Sequence, residues 1–170
     1  MLFRIYLMAV AAALVLATTA LAQVADRAVA EMRDQKGQRI GTVTLTQTPN
    51  GTLLYANFNR LPPGVHAFHV HSIGHCKPPF KSAGPHFFKA SGEKHGLLSD
   101  VGPHAGDLPN IYTPATGILE LEVLVPNVDL DKKVFDNDGS ALVIHEGTDD
   151  YKTDPAGAAG PRIACGTIHR

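Results

Sequence analysis

The chain contains no tryptophan and only two cysteines, 6% of its residues are aromatic, and neither charge is in surplus: 15 Lys and Arg stand against 16 Asp and Glu. The balanced charge excludes a general nucleic-acid binder, because neutralising phosphates takes a basic excess or a basic patch. Intrinsic disorder is excluded as well, since a nearly uncharged chain that is 44% hydrophobic can bury enough surface to offset its conformational entropy. No long helical periodicity is found beyond the first two dozen residues. A length of 170 residues suits one domain. What the chain has in plenty is histidine, nine in all.

Residues 1–22 have the layout of a secretory signal peptide: Arg4, an apolar run from Ile5 to Leu16, and the small-x-small ending Ala20-Leu21-Ala22. The run is short for a membrane-spanning helix. Cleavage after Ala22 leaves residues 23–170 as the mature domain, made one unit more acidic than the formal net charge of −1 by the loss of Arg4. In an oxidising compartment, Cys76 and Cys165 most simply form one disulfide; two separate buried thiols are the alternative.

Hydrophobicity in the mature chain repeats every two residues. Leu119, Leu121, Val123 and Val125 alternate with Glu120 and Glu122, which predicts a half-buried strand with one wet face. Similar strands are predicted over residues 29–33, 40–46, 52–59, 65–71, 141–145 and 162–168. Pro49-Asn50-Gly51, Pro62-Pro63-Gly64 and Asp136-Asn137-Asp138-Gly139 supply turns between them. Asn50-Gly51-Thr52 also fits a glycosylation sequon, but Asn-Gly between alternating runs is foremost a hairpin turn. An all-β sandwich or closed antiparallel barrel follows. Two Gly- and Pro-rich stretches, residues 72–110 and 147–161, are long enough to be functional loops.

Seven histidines, His66, His69, His71, His75, His86, His95 and His104, crowd into residues 66–104. His69 and His71 share one face of their strand while Phe68 and Val70 share the other. His86, His95, His104 and Asp107 follow in the long loop, and His145 ends the strand that carries Ala141 and Val143 on the same face. Any one of these, taken singly, is ordinarily a hydrogen-bonded structural residue; the cluster points to metal. Three His and one Asp can close a tetrahedral zinc site, and several imidazoles without thiolate or Met suit Cu(II). By spacing alone His66 and His75 are further candidates, His169 reads as a surface residue, and the division of ligands between metals stays open.

Six ordered blocks then resemble copper/zinc superoxide dismutase of the secreted bacterial type: Gly64-Val65-His66-Ala67-Phe68-His69-Val70-His71, Ser82-Ala83-Gly84-Pro85-His86-Phe87, Lys94-His95-Gly96, His104-Ala105-Gly106-Asp107-Leu108, Val143-Ile144-His145-Glu146 with Asp149-Asp150, and Arg162-Ile163-Ala164-Cys165-Gly166. They span essentially the whole mature chain. The resemblance implies an eight-stranded antiparallel Greek-key β-barrel, an immunoglobulin-like sandwich with two long functional loops. It implies one copper ion on His69, His71, His86 and His145 and one zinc ion on His86, His95, His104 and Asp107, with His86 bridging the two. Asp149 corresponds to the carboxylate hydrogen-bonded to ligands of both metals, Cys76 and Cys165 to the family disulfide, and Arg162 to the arginine at the mouth of the copper channel. Ala67 in place of a usual Gly, Phe88 in place of a common Asn, and a His86–His95 interval one residue longer than in many members remove no ligand.

The activity implied is conversion of superoxide to dioxygen and hydrogen peroxide by copper cycling between Cu(II) and Cu(I), with zinc as a structural partner. Arg162 and His86 are the implied catalytic residues, and Lys152 is a candidate steering charge. The implied location is periplasmic or otherwise secreted, with no membrane span in the mature chain and no nucleic-acid partner; the family's monomers and dimers allow a homodimer. The rival reading is a copper- and zinc-binding module of the same fold without useful turnover.

Overall fold

A computed structural model describes residues 26–170, and the leader expected over residues 1–22 lies outside them. Nine strands follow in chain order: β1 (Arg27–Asp34), β2 (Arg39–Thr48), β3 (Gly51–Phe58), β4 (Gly64–His66), β5 (Phe68–His71), β6 (Ile111–Thr113), β7 (Leu119–Val125), β8 (Ala141–His145) and β9 (Arg162–His169). One short 3-10 turn, Lys81–Ala83, lies between β5 and β6. Among the described residues no helix is long and apolar enough to cross a membrane.

Seven strands form one antiparallel sheet in the order β5-β8-β9-β1-β2-β3-β7, and β4 pairs with β6 separately. The meander β1-β2-β3 is followed by a crossing to β4, and β7 returns beside β3, a Greek-key order. Inward side chains repeat with period two, as the pleat requires. Ala28, Ala30 and Met32 from β1, Val43 and Leu45 from β2, and Leu54, Ala56 and Phe58 from β3 are fully buried in one core. β7 keeps the predicted alternation, with Leu119, Leu121 and Val123 packed against the core and Glu120 and Glu122 exposed.

Two local departures have physical causes. The single strand expected over residues 65–71 divides at Ala67, because the segment changes partners there: His66 pairs with Ile111 of β6, whereas Phe68 pairs with Ile144 of β8. Ala67 itself stays tied to the end of β8, donating to the Gly147 carbonyl (2.8 Å) and accepting from the His145 N–H (2.9 Å). Counted as one bent strand, β4 and β5 bring the total to the expected eight. The β2–β3 hairpin turns through Pro49 and Asn50, since Thr48 already pairs with Gly51. Gly51 has φ +115°, and a Cβ there would lie 2.4 Å from the Val125 carbonyl, so close approach of β7 also demands glycine.

β5 and β8 are buried on both faces. One face sends Phe68, Val70, Leu142 and Ile144 into the barrel core. On the other, Ala141 and Val143 join Phe80, Ala83, Cys165 and Cys76 in a second, smaller cluster. His69, His71 and His145 alternate with the core residues along the same strands, so they too lie outside the barrel wall, beneath the long loops.

Phe68 meets Phe58 edge to face across the barrel, with ring centroids 6.3 Å apart, and both are fully buried. Phe68→Ala should therefore cost about 3–5 kcal/mol of unfolding free energy by denaturant titration. A loss below about 1 kcal/mol would contradict the closing role given to this pair.

Candidate metal centre

The centre is assembled by strapping two pieces of the long loop onto β5. Phe87 N–H donates to the Val70 carbonyl (2.8 Å), Val70 N–H to Gly106 O (2.9 Å), and Gly106 N–H to Phe87 O (2.8 Å). This three-way ladder sets His86 opposite His71 and Asp107 opposite His69. It needs glycine at 106, where a Cβ would fall 2.3 Å from the Val70 carbonyl. From the neighbouring strand, His145 comes in at the last residue of β8.

Each ring is then oriented by a fixed acceptor. His71 Nδ1 lies 2.9 Å from the Gly84 carbonyl and His145 Nδ1 3.0 Å from the Gly160 carbonyl. His69 Nε2 lies 2.8 Å from Asp149 Oδ2, and His95 Nε2 2.9 Å from Asp149 Oδ1. The Nδ1 atoms of His86, His95 and His104 converge on Asp107 Oδ1 at 2.7, 3.1 and 3.5 Å. Asp107 Oδ2 accepts the N–H groups of Gly96 (2.8 Å) and His104 (3.0 Å). Besides His104 Nδ1, this leaves His69 Nδ1, His71 Nε2, His86 Nε2 and His145 Nε2, four more buried nitrogens with no hydrogen-bond partner. A buried, unpaired polar atom is costly, so such a set is explained by an electrophile that takes the lone pairs.

Protonation agrees with this. Burial lowers His69 to about 3 and His145 to about 4, and it also lowers His71 and His86, which favours the neutral imidazole that a metal requires. His95 differs: burial opposes its charge, but Asp107 and Asp149 on its two nitrogens outweigh this and raise it to about 9. Burial alone would raise the two aspartates, yet their histidine and backbone donors hold both well below the usual carboxylate range.

Donor atoms within 4.8 Å of one another form two groups, His69, His71, His86 and His145, and His69, His86, His95 and Asp107. The second holds His69 where the sequence suggested His104, but the Nδ1 of His104 is buried, without a hydrogen bond, and turned toward Asp107 Oδ1. His86 belongs to both groups, its ring 4.9 Å from that of His71 and 5.1 Å from that of His95. His75 and His169 are exposed, and His66, though buried, joins neither group.

Arg162 lies beside the first group, donating from its two terminal nitrogens to the Phe80 and Gly84 carbonyls, each at 2.7 Å. Gly84 O thus serves both Arg162 and His71. Cys76 and Cys165 are disulfide-bonded, with Cα atoms 5.6 Å apart, so the loop that carries these carbonyls is fixed to β9. A cavity of about 370 Å³ opens at this point, lined by Gln35, Pro79, Lys81, Gly160, Pro161 and Arg162: two cations and no carboxylate. Lys81 was not singled out from sequence, and Lys152 does not line this cavity.

Two further supports escaped the sequence reading. The Asn110 side chain donates to the Asp149 carbonyl and accepts from the Asp149 N–H, both at 2.9 Å, while Asn110 N–H donates to the Tyr151 hydroxyl at 2.7 Å. Gly157, with φ +62°, packs so tightly on Asp149 that a Cβ would lie 1.8 Å from Oδ1. No spacing rule links Asn110 to Asp149, since the pairing exists only once the two loops meet.

A Greek-key barrel whose two long loops close over adjoining donor sets, one of four imidazole nitrogens and one of imidazoles with a carboxylate, defines a two-metal β-barrel protein. Comparison with known families matches residues 39–168 to copper/zinc superoxide dismutase (SODC). Superoxide dismutase [Cu-Zn] 2 of Aquifex aeolicus is 52% identical over 148 residues, covering 84% of this chain and 86% of that protein. Superoxide dismutase [Cu-Zn] of Caulobacter vibrioides is 44% identical over 147 residues, covering 83% and 84%. Among solved structures, the P104H mutant of a SOD-like protein from Bacillus subtilis aligns with TM-score 0.77 at 36% identity, covering 82% of this chain and 95% of that one. Cu/Zn superoxide dismutase from Brucella abortus aligns with TM-score 0.70 at 29% identity, covering 84% and 99%. The chain belongs to the copper/zinc superoxide dismutase family, and its two donor groups fit the family's one copper and one zinc ion.

Asn110→Ala removes both side-chain bonds that hold the Asp149 backbone. Zinc affinity, followed by chelator competition, should fall about 10- to 100-fold, as it does when outer partners of metal ligands are lost. Unaltered zinc affinity would show that Asp149 needs no such support.

Proposed function

We propose that the mature chain is a periplasmic superoxide dismutase, converting two superoxide ions and two protons into dioxygen and hydrogen peroxide. The observation that carries this is the set of four unpartnered buried nitrogens, with the Arg162 guanidinium held beside it on the Gly84 carbonyl that also faces His71. Copper is assigned to His69 Nδ1, His71 Nε2, His86 Nε2 and His145 Nε2. Zinc is assigned to the Nδ1 atoms of His86, His95 and His104 and to Asp107 Oδ1, which makes His86 the shared ligand. The metals supply one-electron redox chemistry from copper and a redox-inert positive charge from zinc.

The chain's own residues do the rest. Arg162 keeps its charge and is held by two carbonyls, so its remaining N–H groups can orient a small anion at the opening. Lys81 adds a second positive charge at the same mouth. Near-neutrality of the whole chain gives no long-range pull, and attraction must come from this local pair. His86 Nε2 belongs to the four-nitrogen set while Nδ1 lies on the Asp107 side, so Nε2 would hold copper or, when it does not, a proton for the product. Asp149 orients His69 and His95 together and thereby couples the two donor sets. Residues 1–22 act as the export signal and residues 23–170 as the enzyme. The disulfide is in keeping with an oxidising destination. A binding module without turnover would have no use for Arg162 at the opening.

Purified mature protein should contain one copper and one zinc per chain and consume superoxide rapidly. His145→Ala should abolish turnover together with copper retention; stoichiometric metal without turnover in the unmodified chain would sink the reading. Arg162→Glu should keep both metals but lower kcat/KM about tenfold or more and weaken its dependence on ionic strength. An unchanged rate would remove Arg162 from substrate capture.

A further inference from the structure

Between His86 and His95 the loop leaves the barrel wall. Phe87 is buried and bonded to Val70, and His95 is fastened again where its N–H donates to Asp154 Oδ1 at 2.9 Å, but residues 88–92 between them are exposed. Glu93 closes this stretch on itself, accepting from the N–H groups of Lys89 (3.3 Å) and Ala90 (2.9 Å). Among the described residues, only two side chains bond residues 88–93 to the rest of the barrel. One is Asp129, which meets Lys89 Nζ at 3.5 Å, a weak contact because both side chains are half-exposed. The other is Lys133, whose Nζ donates to the Phe88 carbonyl and, at 2.9 Å, to the Lys89 carbonyl. The same Nζ lies over the rings of Phe87 and Phe88, 5.4 and 5.5 Å from their centroids.

This ammonium group is delivered from a firm base. Lys133 precedes Val134, which is fully buried in the barrel core, and its own N–H donates to Asp131 Oδ1 at 2.8 Å. The connection it belongs to, between β7 and β8, is held to β2 and β3: Thr52 Oγ1 donates to the Val128 carbonyl (2.7 Å), and the Leu130 N–H donates to Gln47 Oε1 (2.6 Å). One cation thus grips two carbonyls and two rings in the three residues that follow His86. We propose that Lys133 is a positioning residue for the zinc site: by holding Phe88 and Lys89 to the barrel, it keeps the span from His86 to His95 in the shape that lets both imidazoles serve one ion. Without the grip, zinc binding would have to order an exposed loop, and the entropy lost in ordering it would weaken the affinity. The copper ligands His69, His71 and His145 come from β5 and β8 and do not depend on this span. The role rests on the assignment of His86 and His95 to zinc.

The test uses the full mature chain loaded with both metals. Lys133→Met keeps an apolar stem and removes the charge and its donors, and Lys133→Arg restores a cation within reach of the same carbonyls. Zinc and copper affinities by chelator competition, amide hydrogen exchange over residues 88–93 and the unfolding midpoint are measured together. In Lys133→Met, zinc affinity should fall about three- to tenfold with copper affinity unchanged and faster exchange over residues 88–93, and Lys133→Arg should recover most of both losses. If Lys133→Met does not fold, Phe88→Ala, which removes one ring beneath the ammonium, decides by a smaller shift of the same sign. Wild-type zinc affinity in the folded variants overturns the proposal, even with a lowered midpoint, and so does an equal loss of copper and zinc. An unmodified chain that holds no zinc overturns the zinc assignment itself, so the two failures are distinguishable.

Discussion

A neutral imidazole has one proton and two nitrogens, and in a protein interior both must be accounted for. In this barrel one nitrogen of His69, His71 and His145 faces a fixed acceptor: the carbonyls of Gly84 and Gly160 for His71 and His145, and Asp149 for His69. That contact orients each ring and leaves its second nitrogen, together with Nε2 of His86, buried without a hydrogen-bond partner. The wall formed by β5 and β8 makes this achievable. Because both strands are buried on both faces, the core side chains Phe68, Val70, Leu142 and Ile144 hold the imidazoles rigid from behind while the loops supply acceptors from in front.

The same wall ties one of the clustered imidazoles to Arg162. Gly84 O accepts from His71 Nδ1 and from Arg162, so the His71 ring and the guanidinium are referenced to one atom. That atom belongs to a loop fixed to β9 through the Cys76–Cys165 disulfide, and Gln35 Nε2 holds the Arg162 carbonyl from the β1–β2 turn at 2.6 Å. Closing an 89-residue separation removes loop entropy from the unfolded chain, an effect of about 4–5 kcal/mol in the chain-entropy account.

How much of this is visible in sequence depends on how local its cause is. The alternation of Leu119, Leu121, Val123 and Val125 follows from the pleat alone, and the common face of His69 and His71 follows from the same period, so both are readable before any fold is known. The ordered blocks around the ligands are readable because each is a short stretch of chain. Ala67 is different: nothing about an alanine marks a corner, and the break exists because β6 and β8, distant in sequence, claim its two neighbours. Asn110 and Gly157 are silent for the same reason, since their partner Asp149 reaches them only when the two loops meet.

Phe87, Ala105 and Leu108 of the first loop join the barrel core and Phe80 and Ala83 the smaller cluster with Ala141, Val143 and the disulfide, while Leu98, Val101 and Phe88 are exposed. The attachment of the loops near the metal donors is made of polar bonds that end on two carboxylates, Asp107 and Asp149. Each carboxylate collects backbone N–H groups from the loops, Gly96 and His104 on the one and Tyr151 on the other, as well as imidazoles. An acceptor shared in this way binds loop order to ligand geometry: whatever fixes the imidazoles also fixes the loops, and whatever loosens the loops releases the tautomers. Asp107 and Asp149 are thus the two points at which the backbone of the loops and the clustered imidazoles are held together.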